Sequence, residues 1–523
     1  MIGRNATAEG GGSVDPDRQR WLSLGVALAF LALAAFAMSS HELWRDEAES
    51  WLIARDSSSL PELFRHVRYE GHPGLWFAVL FVLSRVTTSL VAMQLLHLGI
   101  AAAVVWTFAR YAPFSPLQRV LFAFGYFPLY EYAVVSRDYG LGVLFLFGAC
   151  AVIGAKPRRF SVLVILLALA PQANIFAAIL GFALGLVVLL DPWLPDGPVF
   201  AENVSRRQYA WGLAAVAASF GLATVQMMQP ADSGVVMGWH THLELPLLAK
   251  RFRSVAAGLL PIAQIQGQWW SSPFVWDLDR VRFPVAIGAY VLLAWVVLGL
   301  LHRPRALIFL VVALGGLIAF FYLKLPGEMR HFGHFFIALV MALWLGKVET
   351  AGRGLVGDGW IGRAWASTQG TIFTGLLGVQ VVGGLLAVFL EDRYVFSNGK
   401  ATAGYLVEHK LDQAPLVAEP DYIAEPVLAY LPPRQAYFPR GDRTGSFVIW
   451  DLGRIASVSD STCLERARRL AAERGAPAVL LLNHPLAVAA AESLGIRTLA
   501  RFVGSTVEDE DFYLYSVTAT NAP

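Results

Sequence analysis

Four closely spaced carboxylates, those of Glu42, Asp46, Glu47 and Glu49, lie in the polar stretch HELWRDEAESWLIARD, directly after an apolar run. Asp46 and Glu47 are adjacent, so on a helix their side chains point about 100° apart and cannot share one task equally. One of them can face a cavity as a general base while the other caps the helix or forms an ion pair. The alternative is acidic capping of a short juxtamembrane helix. Glu42 and Glu49 are expected at the surface.

Two further polar stretches interrupt apolar runs. In EGHPGLWF, Pro73 suits the first position of a helix, and His72 before it either contacts a substrate or only forms a turn. In EYAVVSRDYGLGVLF, a polar knot separates two apolar runs. Such residues either line a cavity or anchor the hairpin at the interface. This polar stretch consists of Ser136, Arg137, Asp138 and Tyr139.

A cluster of basic residues follows much later, in YLKLPGEMRHFGHFF. Lys324, Arg330, His331 and His334 are expected to crowd a short loop between two spans. Cationic side chains suit the binding of a phosphate carried on a lipid. His331 and His334 are three residues apart, but two histidines without nearby carboxylates form a weak zinc pattern. We therefore expect no metal.

The composition indicates a membrane protein. The chain has 523 residues, of which 56% are hydrophobic and 15% charged, whereas about a quarter of the residues of a soluble protein are charged. A net charge of +2 does not suggest nucleic acid as a partner. The two cysteines, Cys150 and Cys463, are expected to be free thiols. The sequence has no Walker, HExxH, GxSxG or CxxC motif, so ATP-driven transport and the familiar hydrolases lack support, and no cofactor is expected.

A membrane span needs about 20 apolar residues. The fold class predicted is a polytopic α-helical membrane protein with a small C-terminal α/β domain. About twelve apolar segments are candidates. They are 21–38, 74–88, 90–109, 119–135, 139–155, 160–174, 175–190, 209–226, 284–301, 306–323, 334–346 and 370–390.

Basic clusters give the orientation, because Lys and Arg accumulate in short cytoplasmic loops. One consistent membrane topology results when all the basic clusters are placed in the cytoplasm. These clusters lie near residues 156–159, 206–207, 303–305 and 347–363. Residues 1–20 then form a disordered cytoplasmic N-terminus and 21–391 the transmembrane domain. The loops 39–72, 227–283 and 324–333, and everything after residue 391, lie outside. This topology requires an odd number of crossings, so we predict 11 or 13, with one piece of 73–109 failing to cross.

Residues 395–518 differ in composition from the rest and predict a small extracytoplasmic α/β domain. APLVAEP, AYFP, SFVIWD, APAVLLLN and FYLYSV are typical of strands, while TCLERARRLAAERG and PLAVAAAESLG are typical of helices. No Gly-rich phosphate loop follows a strand, so nucleotide binding is not indicated. The acidic run 508–511 is expected to be a solvated turn.

The order of these pieces resembles the GT-C glycosyltransferases. The chain has RDEAESW after a first span, followed by GHPGLWF, SRDYGL and a late EMRHFGH. This order is similar to that of the protein-mannosyltransferase-like branch, glycosyltransferase family 39, which includes lipid A and lipopolysaccharide sugar transferases. The resemblance covers roughly residues 20–345. One departure is that the family often carries His-Pro-Pro, where this chain has His72-Pro73-Gly74.

The resemblance implies roles for single residues. Asp46 matches the acidic residue that activates the acceptor, with Glu47 beside it. Arg137 and Tyr139 match the outer hairpin that helps to build the cavity. The donor phosphate would be bound by Arg330, Lys324 and His331.

The implied activity is inverting transfer of a sugar from a polyprenyl-phosphate donor to a glycan, lipid or protein acceptor. It would take place at the extracytoplasmic face of a bacterial-type inner membrane, without nucleotide or metal. The alternatives are a lipid or sugar transporter or flippase, which would show internal repeats and broken helices at mid-membrane, and a non-enzymatic assembly protein. A polymerase or ligase using lipid-linked donors is a variant of the first hypothesis.

Overall fold

The computed structural model describes residues 16–195, 197–200, 204–235, 238–265, 268–271, 279–349, 360–486 and 495–519. Its larger part is a helical body. The helices of this body are α1 (Pro16–Ser40), α2 (Arg45–Asp56), α3 (Leu60–Glu70), α4 (Leu75–Ser84), α5 (Leu90–Tyr111), α6 (Pro116–Ala123), α7 (Tyr139–Gly154), α8 (Phe160–Ala173), α9 (Ile175–Leu190), α10 (Arg206–Met227), α11 (Leu245–Leu259), α12 (Asp279–Leu300), α13 (Pro304–Leu323), α14 (Met329–Val348) and α15 (Trp360–Arg393).

Eight helices in the described part of the chain are long and apolar enough to cross a membrane. They are α1, α5, α9, α10, α12, α13, α14 and α15, and three shorter apolar helices, α4, α7 and α8, accompany them. Helices of this length and apolarity suit the hydrocarbon core of a bilayer. The chain is therefore a polytopic α-helical membrane protein, as its composition predicts.

The predicted span 119–135 is wrong as a continuous helix. The structure has the short helix α6, then a break, then one π-helical turn at Phe127–Glu131. Pro128 lacks the N–H that a continuing α-helix would need. The long helix α15 passes the break at Gly384, where a Cβ would lie 2.5 Å from the Phe124 carbonyl oxygen.

Helix ends gather into two groups, and the first is called here the site end. His41 at the end of α1 contacts Glu391 near the end of α15, with Nδ1 and Oε1 2.9 Å apart. Asn174, before α9, donates from Nδ2 to the carbonyl oxygen of Asp138, before α7, at 3.1 Å. All the polar stretches singled out from the sequence between residues 41 and 139 lie at this end.

The other group of helix ends is called the opposite end. Lys347, late in α14, places its ammonium 5.5 Å from the ring centroid of Phe114, which follows α5. Arg305, at the start of α13, is fully buried and ion-pairs with Asp191 at 2.7 Å and Glu349 at 3.1 Å. These contacts bring together the regions near residues 303–305 and 347–349, which carry two of the basic clusters used for the orientation.

The N-terminal residues 16–20 were predicted to be disordered, but they are helical. Pro16 begins α1, a position that its fixed φ favours, and Gln19 Nε2 donates to the Arg110 carbonyl oxygen at 2.9 Å. Residues 1–15 lie outside the described residues.

The C-terminal domain is built on a six-stranded sheet of order β3-β2-β1-β4-β6-β5. Strand β1 pairs in parallel with β2 and β4, and the remaining pairs are antiparallel. The α/β class is thus as predicted. The elements are α16 (Gly399–Glu408), β1 (Leu416–Glu419), α17 (Glu425–Leu428), β2 (Ala436–Phe438), β3 (Arg443–Gly445), α18 (Asp460–Arg474), β4 (Ala478–Leu482), β5 (Ile496–Phe502) and β6 (Phe512–Val517).

Two predictions about this domain need correction. SFVIWD (residues 446–451) is not a strand of the sheet, because Val448 donates its backbone N–H to Glu425 Oε1 at 2.9 Å, away from any strand. Strand β5 was missed, since its sequence IRTLARF mixes charged and apolar residues. The predicted helix PLAVAAAESLG falls largely on residues 487–494, outside the described part of the chain.

The two faces of the sheet pack against different partners. Val417 and Leu480 face α18, where they join Cys463 in one buried cluster. Ala418 and Leu481 of the other face belong to the same apolar cluster as Trp51 of α2. The C-terminal domain is therefore continuous with the site end of the helical body.

The acidic turn 508–511 was expected to be solvated, but it docks on α2. Arg45 Nη1 donates to Asp509 Oδ2 at 2.8 Å, and the Arg45 backbone N–H donates to Glu510 Oε1 at 2.8 Å. Glu510 has no exposed surface. Its burial is tolerated because Glu510 accepts the hydrogen bond from a backbone donor at the start of α2, which a helix cannot satisfy internally.

Candidate functional site

The candidate site is built around the first turn of α2. The Trp44 backbone N–H donates to Glu47 Oε2 at 3.3 Å, so Glu47 caps the helix to which it belongs. The Asp46 side chain is 26% exposed, whereas that of Glu47 is 0% exposed. The two adjacent carboxylates thus have different surroundings, and only Asp46 is open to a substrate.

Glu47 anchors the site from inside. His41 Nε2 lies 2.9 Å from Glu47 Oε2, and the Ser136 backbone N–H donates to Glu47 Oε1. Burial lowers the pKa of His41, but the carboxylates of Glu47 and Glu391 on its two sides raise that pKa well above its ordinary range. A charged His41 between two carboxylates ties α1, α2 and α15 together.

Arg330 faces Asp46 across the site. Its Nη2 lies 3.7 Å from Asp46 Oδ2. Its guanidinium lies beside a pair of indoles that contact each other, 5.1 Å from the Trp44 ring and 5.3 Å from the Trp270 ring. Arg330 Nε finds no hydrogen-bond partner among the described residues. A planar cation held by two aromatic faces keeps donors available for an anion.

Arg137 supports Asp46 through its backbone. Its Nη1 donates to the Asp46 carbonyl oxygen and to Ser50 Oγ, the latter at 3.3 Å. Arg137 is 7% exposed, and its Nε has no hydrogen-bond partner in the described ranges. The guanidinium therefore adds positive charge beneath Asp46 and fixes the first turn of α2.

His72 and Asp138 form the neighbouring wall, with His72 Nδ1 3.7 Å from Asp138 Oδ2. Burial lowers the pKa of His72 and raises the pKa of Asp138. The charge of each side chain opposes the pKa shift of the other. Gly74 stands where a His-Pro-Pro pattern would have its second proline, and the Gly74 N–H donates to Gln226 Oε1 at 2.7 Å. A proline there would lose this bond to α10.

The histidines of the basic cluster were expected in a loop, but they lie in α14. Only residues 324–328 remain as a loop, because Met329 begins the helix. His331 Nε2 contacts the Tyr139 hydroxyl at 3.0 Å, and His334 Nδ1 lies 3.2 Å from the Tyr132 hydroxyl. Both histidines are buried. They pack Tyr139 behind the Asp46–Arg330 pair and do not extend into an open loop.

Lys324 contacts an indole from another loop. Its ammonium is 5.1 Å from the ring centroid of Trp239. The structure thus brings Asp46, Arg137 and Arg330 together directly, and places the His72–Asp138 pair beside them and Tyr139 with the two histidines behind.

Glu131 is a buried acid of the site that the sequence reasoning missed. Its Oε1 accepts from Tyr126 Oη at 2.7 Å and from Trp270 Nε1 at 3.2 Å. Trp270 is one of the two indoles that hold Arg330. The available signal was a lone acid inside an apolar run, which is costly without a partner.

Glu42 and Glu49 were expected at the surface, and both are partly buried. Glu42 Oε2 accepts from the Phe396 backbone N–H at 3.0 Å, and Glu49 Oε1 accepts from Trp450 Nε1 at 3.3 Å. Burial, followed by the charge of Asp46, raises the pKa of Glu49 to about 7. The docked C-terminal domain covers these two carboxylates. Their burial depends on residues more than 350 positions away, so the local sequence does not reveal it.

The arrangement offers one accessible carboxylate facing one guanidinium whose donors are partly unused. Such a pair can accept a proton from a hydroxyl and stabilise charge on a leaving phosphate. No group of three or more His, Cys, Asp or Glu side chains within the described residues is arranged to hold a metal ion.

No family model matches this chain, and no curated protein matches it at a significant level.

Proposed function

We propose that the chain is an integral membrane glycosyltransferase that takes a sugar from a polyprenyl-phosphate donor. The observation that carries the proposal is the approach of Arg330 Nη2 to within 3.7 Å of the accessible Asp46 carboxylate. The two residues come from parts of the chain almost 300 positions apart, yet meet at one end of the helical body. The predicted sugar transferase requires this convergence, and a simple acidic helix cap does not.

In the proposed reaction, an acceptor hydroxyl oxygen attacks the anomeric carbon of the donor. Asp46 takes the hydroxyl proton as the new C–O bond forms. The bond from the anomeric carbon to the phosphate oxygen breaks, and polyprenyl phosphate leaves. One displacement of this kind inverts the anomeric configuration.

Arg330 stabilises the negative charge that grows on the leaving phosphate. Its 14% side-chain exposure keeps it partly away from water, where an electrostatic contact is stronger. Arg137 holds the Asp46 backbone and adds positive charge to the same site. We assign to the His72–Asp138 pair and to Tyr139 the shaping of the cavity wall.

The proposed topology has eleven crossings. The irregular segment 116–138 runs from the opposite end to the site end and counts as one crossing. Helix α4 does not cross, because it begins and ends near the site end. At its start Gly74 contacts Gln226, and after its end Arg85 Nη2 donates to the Ala54 carbonyl oxygen at 3.0 Å. The positive-inside tendency then places the opposite end in the cytoplasm and the site outside, at a bacterial-type inner membrane.

A donor comparison tests this function. Membranes containing the wild-type chain are incubated with a panel of labelled sugars linked to polyprenyl phosphate, and separately with the same sugars linked to nucleotides. We expect transfer to an extracytoplasmic acceptor only from a lipid-linked donor. Movement of the intact labelled lipid across the membrane without cleavage of the sugar–phosphate bond would support a flippase instead.

A further inference from the structure

A second cleft lies at the opposite end of the helical body, away from Asp46. It has a volume of about 1120 Å³ and is lined by the residues before α8 and by the first turns of α8 and α10. Phe160, Val164 and Gly212 are among its lining residues. A Cβ on Gly212 would lie 2.8 Å from side-chain carbons of Phe160 and Val164, so this glycine lets the two helices pack closely beside the cleft.

The cleft carries positive charge. Lys156, Arg158, Arg159 and Arg207 line it, and its lining contains no Asp or Glu within the described residues. Lys156, Arg159 and Arg207 are exposed. The N-termini of α8 and α10 meet at the cleft and add partial positive charge to that of the side chains.

The cleft is also flanked by exposed apolar side chains. Ile165 and Trp211 are 55% and 67% exposed, and both line it. Trp211 belongs to α10, one of the helices that can span a membrane, and indole rings favour the headgroup level. The ligand that fits has an anion for the basic rim and hydrocarbon for the flank.

We propose that this cleft binds an anionic phospholipid of the adjoining leaflet. The headgroup phosphate contacts Lys156, Arg159 and Arg207, and an acyl chain lies along Ile165 and Trp211. Basic pockets between membrane helices are suited to anionic lipid headgroups. The assignment is independent of the sugar-transfer proposal, because no residue of the cleft belongs to the Asp46 site.

The test measures lipid binding by the purified full-length chain in detergent. Native mass spectrometry detects the bound lipid as phosphatidylglycerol is added. Phosphatidylcholine and inorganic phosphate are titrated in parallel. The variant is the triple substitution Lys156→Gln, Arg159→Gln, Arg207→Gln. The matched control is Arg18→Gln, Arg20→Gln, Arg110→Gln, which removes the same charge from the opposite end outside the cleft.

We expect the wild type to prefer phosphatidylglycerol over both other ligands. The triple variant should bind it at least about tenfold more weakly, since each Lys or Arg near anionic lipid contributes several-fold, while the control should stay within about twofold of the wild type. Equal losses in both variants, unchanged binding in the triple variant, or equal affinity for phosphatidylcholine or free phosphate would overturn the proposal. If the triple variant fails to fold, Arg159→Gln and Trp211→Ala are compared singly, and wild-type affinity in both would overturn it.

Discussion

Replacement of Arg330 by glutamine separates a donor-phosphate role from a merely structural one. In the structure, the guanidinium faces Asp46 at 3.7 Å and lies beside the paired rings of Trp44 and Trp270. Glutamine retains polarity and some bulk but removes the charge. Lysine retains the charge but loses the planar group that stacks on the two indoles.

The electrostatic size of the contact follows from the distance. Two unit charges 3.7 Å apart interact by about 4.5 kcal/mol at an effective dielectric of about 20. Both side chains are partly exposed, so the real ground-state contribution is smaller, on the order of 1 kcal/mol. A leaving phosphate carries more charge in the transition state than Asp46 offers in the resting site. Loss of one such stabilising donor typically costs about 10²–10³-fold in rate.

The assay is transfer of labelled sugar from polyprenyl phosphate in membranes containing equal amounts of each variant. We expect Arg330→Gln to lose about 10²–10³-fold in rate and Arg330→Lys to retain intermediate activity. Arg253→Gln is the matched control, because it removes an exposed positive charge from α11 and should leave transfer close to wild type. Transfer by Arg330→Gln within about threefold of the wild type, or an equal loss in Arg253→Gln, would refute the reasoning.

Three further substitutions probe the structure around the site. Glu47→Gln should lower protein stability by about 2–4 kcal/mol, because it weakens a buried contact to charged His41; an unchanged thermal unfolding midpoint in detergent would contradict this. The pKa of Glu49 rises from 4.5 to about 7 in the folded state, so the folded chain keeps a proton that the unfolded chain loses between these values. Stability should therefore fall as the pH rises through this range, and Glu49→Gln should reduce the slope of the unfolding midpoint against pH. An equal slope in the variant and the wild type would contradict this expectation. Gly333→Ala should destabilise the fold by about 1–3 kcal/mol, because the added Cβ would overlap the Phe127 ring, and wild-type unfolding behaviour would exclude that overlap.

Local patterns in the sequence predicted much of the fold. Long apolar runs are nearly sufficient to identify membrane helices, since the bilayer leaves the backbone few alternatives. The different surroundings of the Asp46 and Glu47 side chains followed from helical geometry. The grouping of Asp46 with Arg137 and Arg330 followed from placing their stretches at one end of the helices.

Features that depend on distant contacts could not be predicted. The acidic turn 508–511 resembles a solvated turn until Arg45 is seen to pair with it. Segment 119–135 is apolar enough for a span, yet Pro128 and the close passage of Gly384 accompany an irregular course. The indoles that hold Arg330 come from two separate loops, and no periodicity connects them.

The role of Asp46 in transfer is the central claim, and one comparison tests it most directly. Wild type and Asp46→Asn, a substitution close in size that removes the basic carboxylate, are assayed for transfer from labelled polyprenyl-phosphate sugar to a hydroxyl acceptor. Because general base catalysis contributes about 10²–10⁴-fold, we expect the variant to lose at least about 10²-fold in rate while still folding and retaining donor binding. Transfer by Asp46→Asn at the wild-type rate would contradict the account.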